Sequence, residues 1–178
     1  MDRNSPSYYV EPSPEVSVST TKTLISYIRS LASSFDGTLS SPSSPPLVQP
    51  IVTPRFAVSC SPALLSSLGE LASSDPSLHI QTHISENTAE ISLVRQLFPA
   101  AKNYADVYDS FGLVRRNTVL GHAVHLDDAE VEIIKERAAG ISHCPTSNYN
   151  LTSGIAPIGY YLDQGIKVSV YFLHEVAQ

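Results

Sequence analysis

"HIQTHISEN", His79–Asn87, sets two histidines, a glutamine and a glutamate at the end of an apolar run. On an extended chain successive side chains face opposite ways, so His79, Gln81 and His83 share one face while Leu78, Ile80 and Ile84 share the other. The stretch therefore reads as a strand with one polar and one apolar face. Its carboxyl end delivers a polar cluster to whatever lies beyond the sheet. Similar short runs recur on both sides: "PIVTPRF" (50–56), "NTVLGH" (117–122), "AGISHC" (139–144) and "IKVSV" (166–170). Between them stand the helical patterns "PALLSSLGELASS" (62–74), "TAEISLVRQLF" (88–98) and "DDAEVEIIKERAA" (127–139), with a weaker segment over 157–162. In the third helix Asp127 and Glu130 have capping-box spacing, and Val131, Ile134 and Ala138 form the apolar stripe. Strand and helix alternation predicts a parallel α/β sheet built by crossovers. A closed barrel needs eight such units over about 250 residues. Five strands and four helices predict an incomplete (β/α)8 barrel of the TIM type, with the helices outside.

The flanks divide the chain further. Residues 1–49 are rich in serine and proline and contain one helical stripe, Leu24, Ile25, Ile28 and Leu31 within "TTKTLISYIRSLASSF". The barrel part is expected over 50–170, followed by a divergent tail over 171–178. With 178 residues, 42% of them hydrophobic, the chain suits a soluble domain with a sizeable core. No apolar run is long enough to cross a bilayer and no signal-peptide pattern stands at Met1, so the expectation is a cytoplasmic protein with no membrane partner. Eleven Lys and Arg against seventeen Asp and Glu give a net charge of -6, which argues against a nucleic-acid partner and for a small-molecule substrate. Cys60 and Cys144 lie far apart and read as free thiols of a reducing compartment.

Polar clusters end four consecutive strands: "PRF", "HISEN", "GH" and "SHCPTSN". Active sites of α/β sheets gather at the carboxyl ends of strands. In this order and at these separations, "PIVTPRFAVSC", "LHIQTHISEN", "VLGHAVHL" and "SHCPTSN" resemble the second half of a guanine deaminase of the amidohydrolase superfamily, over about residues 50–170. "GH" after a strand is common and "SHCPTSN" is shared by related deaminases, whereas "PRF" together with "HISEN" marks this branch. The resemblance implies a metal-dependent hydrolase of purine catabolism that takes guanine and water to xanthine and ammonia, with one zinc ion and a possible homodimer. It implies His83 and His122 as metal ligands, Glu86 as the catalytic proton carrier, and Arg55 and Phe56 as substrate-binding residues. His143 would stand near the metal without being a ligand.

The residues by themselves leave blander readings open. His83 and His122 read equally well as caps or core histidines, Glu86 as a first-turn carboxylate favoured by the helix dipole, and Asn87 as a helix-start residue. Arg55 could pair with a surface acid, and Phe56 could be core. His79 reads as a satisfied interior histidine and His125 as a second-shell or loop residue. Departures from the family pattern also matter. The chain contains no His-x-His pair and no Gly-Thr-Asp step after "IKVSV", which leaves the implied metal site short of ligands, and His174 with Glu175 lacks the sequence context to replace them. The chain reads as a truncated piece that starts after a third barrel strand and diverges in the eighth, inactive alone. The alternative is a non-catalytic barrel fragment that self-associates or binds another chain through its unpaired edges. A thiol hydrolase using Cys144 and His143 is excluded, because neighbours on a strand face opposite ways. The Pro-Cys-x-x-Cys of nucleic-acid deaminases is absent.

Overall fold

A computed structural model of the chain describes residues 1–34, 46 and 48–170. Strands β1 (Ile51–Val52), β2 (His79–Ile84), β3 (Thr118–His122), β4 (Gly140–His143) and β5 (Lys167–Val170) form one sheet in sequence order, every neighbouring pair parallel. Seven α-helices accompany them: α1 (Pro14–Ser34), α2 (Pro62–Ser74), α3 (Thr88–Leu97), α4 (Tyr104–Ser110), α5 (Asp128–Glu136), α6 (Pro145–Asn150) and α7 (Ile158–Asp163). The expected open, partial barrel is what the chain forms. The tail over 171–178, with His174 and Glu175, lies outside the described residues.

Local chemistry explains where the helices start. Ser61 accepts the Leu64 N–H at 3.1 Å with Pro62 next in line, opening α2. Asn87 accepts the Glu90 N–H at 2.9 Å and opens α3. Asp127 and Glu130 complete the expected capping box of α5. Three expectations need correction. Ala138 lies past the end of α5, exposed and with φ +54°, so the buried stripe is Val131 and Ile134 alone. In α1 only Ile25 of the four stripe residues is fully buried. Leu24 and Leu31 are exposed, because the helix turns Ser17, Thr21, Ile25 and Ile28 inward instead. The first strand is two residues long, not seven, because Pro54 has no N–H to donate to a ladder. Helices α4 and α6 were not foreseen. Both are short, and short helices carry little periodic signal.

The two faces of the sheet differ. Val52, Ile80, Ile84, Leu120 and Ile141 are buried beneath Leu64, Leu65 and Leu68 of α2, Val94 of α3, Tyr108 of α4, Ile134 of α5 and Tyr161 of α7. The opposite face runs in two rows fixed by register, Gln81–Val119–Gly140–Lys167 and His83–Gly121–Ser142–Ser169. None of these eight residues is buried. His79 lies on that face and is exposed, so it is not the interior histidine expected: nothing among the described residues covers it.

One close approach fixes how α2 sits. A Cβ on Gly69 would stand 1.9 Å from the Phe111 carbonyl oxygen, which is backbone and cannot swing away. Alanine in a helix interior is worth about 1 kcal/mol over glycine, whereas overpacking against fixed atoms costs about 1–3 kcal/mol or more. Gly69→Ala is therefore expected to destabilise the chain despite the better helix former, and a urea melt showing equal or higher stability would refute the close packing.

Candidate active site at the strand ends

The strand ends bring the expected residues together through backbone geometry that the sequence pattern does not announce. His83 lies on the uncovered face of β2. His122 has the parity of the helix-facing Thr118 and Leu120, yet its ring stacks on that of His83, with centroids 5.1 Å apart. The alternation breaks because His122 takes φ +68° and Ala123 φ +49°, left-handed values rare outside glycine, while Ser85 beside Glu86 takes φ +48°. Three non-glycine residues in this region within two strand ends mark a place where conformation is held by its surroundings.

Both imidazoles are oriented from the same side. His83 Nδ1 lies 2.5 Å from the Arg55 carbonyl oxygen, and His122 Nδ1 lies 2.8 Å from Asn148 Oδ1. A carbonyl oxygen only accepts, so each Nδ1 carries a proton, and in the neutral ring Nε2 is then the nitrogen with the lone pair. Neither Nε2 has a hydrogen-bond partner among the described residues. This is how imidazoles are prepared for a metal, with the second nitrogen anchored by an acceptor. The donor set suits zinc, which takes neutral imidazole nitrogen. Among the described residues no group of three or more His, Cys, Asp or Glu is placed to hold a metal.

The other expected residues lie at or just beyond the same strand ends. Glu86 Oε1 lies 3.4 Å from His122 Nδ1, with the Glu86 side chain 17% exposed. The Glu86 N–H donates to Glu90 Oε2 at 3.0 Å, which fixes the start of the segment leading into α3. Arg55 and Phe56 follow β1, and the guanidinium lies 5.4 Å from its neighbour's ring centroid. Arg55 is exposed and Phe56 half-buried against the core. The Arg55 carbonyl also accepts the His83 N–H at 3.0 Å, so the turn bearing the two side chains is pinned to β2. His143 is half-buried at the end of β4. Burial and, to a smaller extent, the neighbouring His122 imidazole hold its imidazole below the usual histidine range. His125 binds the Ser153 carbonyl with Nε2 at 2.7 Å and serves its loop.

Buried side-chain polar atoms normally find partners. Among the described residues five do not, and four of them belong to Ser85, Glu86, His143 and Asn148, at or just after these strand ends. Glu86 Oε1 and the Asn148 amide lie against the His122 ring, so a polar ligand at the imidazoles would meet an uncommitted acceptor and donor there.

Two contributions escaped sequence reasoning. Asn148 lies inside the quoted "SHCPTSN", but its role depends on Pro145 starting α6 directly after β4, which carries the residue under His122. A proline directly after a strand end is a helix-start signal and was the available hint. Tyr108 is fully buried and accepts the Ala57 N–H at 2.8 Å, donates to the His83 carbonyl at 2.8 Å and lies 3.0 Å from the Thr82 hydroxyl. Burial raises its phenol far above the ordinary value, so it stays protonated. Tyr104, also raised by burial, donates to Glu90 Oε1 at 2.7 Å, so the network continues to the carboxylate that holds the Glu86 N–H. No local pattern reveals contacts between α4 and two strand ends.

Comparison with known proteins identifies the family. The chain is 49% identical over 170 residues to the probable guanine deaminase of Schizosaccharomyces pombe, covering 96% of this chain and 30% of that protein. It is 41% identical over 170 residues to the guanine deaminase of Dictyostelium discoideum, covering 96% and 35%. The chain thus spans about a third of the length of these relatives. The crystal structure of guanine deaminase from C. acetobutylicum with bound guanine in the active site superposes with a TM-score of 0.82 at 37% identity, covering 96% of this chain and 37% of that one. A zinc complex of atrazine chlorohydrolase from Arthrobacter aurescens, at 21% identity and a TM-score of 0.78, shares the fold. The amidohydrolase family model matches residues 11–172, nearly the whole chain and every strand of the sheet. With its half-barrel of parallel strands and histidines at their carboxyl ends, the chain belongs to the amidohydrolase family.

Proposed function

We propose that this chain carries the purine-binding and proton-moving part of a guanine deaminase, a cytoplasmic enzyme of purine salvage that converts guanine and water to xanthine and ammonia. The observation that carries the reading is the stacked pair of imidazoles, His83 and His122, with the unpaired Glu86 Oε1 3.4 Å from His122 Nδ1 and the His83 ring held by the Arg55 carbonyl. The guanine deaminase relatives, one solved with guanine bound, support the substrate.

In this reading Arg55 donates from its planar guanidinium to the purine carbonyl, and Phe56 offers an aromatic face to the ring. His83 and His122 would hold zinc through Nε2, and zinc bound there would lower the pKa of a water molecule to about 7. Glu86 takes a proton from the attacking water and passes it to the amino group that leaves as ammonia. The unpaired Glu86 Oε1 suits that task, because a carboxylate already committed to a donor is a poorer proton acceptor. The remaining ligands would come from outside the described residues.

The test grafts residues 1–170 into the corresponding span of the Dictyostelium discoideum guanine deaminase. The chimera is expected to bind zinc and release ammonia from guanine; a folded, zinc-loaded chimera inert towards guanine would defeat the assignment. The chain alone, supplied with zinc, is expected to release no measurable ammonia, since two imidazoles are too few to hold the ion. Turnover by the isolated chain, lost on His83→Ala, would show that those two suffice.

A further inference from the structure

Glu86 and Asn148 face the same proton. His122 Nδ1 lies 2.8 Å from Asn148 Oδ1 and 3.4 Å from Glu86 Oε1, and only the amide is hydrogen-bonded to it. A carboxylate is the stronger acceptor, because hydrogen bonds to ionised groups are roughly twice as strong as neutral ones. With nothing to prevent it, Glu86 would close the gap and form an ion-assisted pair with the imidazole. The structure instead leaves Oε1 buried and unpaired, and gives the proton to an amide that is itself 1% exposed and has an unpaired Nδ2. That is an unfavourable distribution for stability alone, since an unsatisfied buried acceptor costs about 1–3 kcal/mol.

We infer that Asn148 is a positioning residue that occupies the His122 Nδ1 proton and so keeps Glu86 uncommitted. Two effects follow from one contact. His122 is fixed in the tautomer whose Nε2 lone pair faces away from the amide, and the carboxylate oxygen remains open to a proton arriving from elsewhere. Helix α6 makes this possible: the Asn148 N–H donates to the Cys144 carbonyl at 3.0 Å, so the first turn after β4 sets the height of the amide against the ring. The inference rests on Glu86 being the proton carrier proposed above, but the contact itself needs neither metal nor purine to be observed.

The experiment uses the 178-residue chain labelled with 15N-histidine, without zinc, and reads the His122 tautomer and its Nδ1–H proton resonance from one-bond and long-range 1H–15N correlations. The wild type is expected to show the Nδ1–H tautomer, and Glu86→Gln is expected to leave that resonance in place. Asn148→Ala should move it downfield as the carboxylate takes the proton, and Asn148→Ala with Glu86→Gln should reverse the move. A shift on Glu86→Gln alone would show that the carboxylate is already the acceptor and overturn the inference. So would an Nε2–H tautomer in the wild type, or an Asn148→Ala spectrum with an unchanged resonance. If Asn148→Ala does not fold, the wild-type tautomer and the Glu86→Gln spectrum still decide. An inert chimera with these spectra as expected would reject the guanine reading and leave the role of Asn148 intact.

Discussion

Glu86→Gln in the grafted barrel is expected to lower guanine turnover by about 10²–10⁴-fold, the usual contribution of a positioned acid–base group, while zinc remains bound at wild-type stoichiometry. Glutamine has the same shape, and the backbone that presents it is held independently: the residue 86 N–H donates to Glu90, and Ser85 before it is locked at φ +48°. Only the ability to take and return a proton is removed. His83→Ala in the same barrel should lose metal and turnover together, because it removes an Nε2 donor rather than a shuttle. Steady-state ammonia release beside metal analysis of the purified variants separates the two outcomes. Near-normal turnover by Glu86→Gln would assign proton transfer to another carboxylate.

The second large effect concerns stability. Tyr108→Phe keeps the ring and its packing, leaving no void, yet it strips partners from the Ala57 N–H, which is buried, and the His83 carbonyl, which is partly buried. Each buried group left unpaired costs about 1–3 kcal/mol, so the sum is about 2–6 kcal/mol. The Ala57 N–H keeps a longer contact, 3.3 Å, to the Tyr104 hydroxyl, which favours the lower half of that span. Urea unfolding at neutral pH measures it. A loss below about 0.5 kcal/mol, the level of an ordinary surface change, would mean that the tyrosine fills space and nothing else.

The strands were legible because their apolar alternation is local: "HIQTHI" shows its two faces to anyone who counts by two. The start of α5 was legible for the same reason, since Asp127 and Glu130 lie three residues apart in sequence and in the cap. The site was legible in its residue types and not in its wiring. His83 owes its ring orientation to a carbonyl 28 residues away, and His122 owes its own to an amide 26 residues away. Such separations are set by how strands stack side by side, which no window on the sequence contains. The left-handed turn at His122 was hidden further. By simple alternation that side chain belongs among the helices, and only the finished backbone shows it turned onto His83.

Gly121 stands opposite His83 in the sheet, where a Cβ would come 3.8 Å from the His83 ring. Barrel interiors are ordinarily filled with branched side chains, but the row that starts at His83 continues as glycine, serine and serine. A side chain longer than a methyl at residue 121 would press on the His83 ring, so the bare backbone there leaves that imidazole free to keep the orientation that the Arg55 carbonyl gives it.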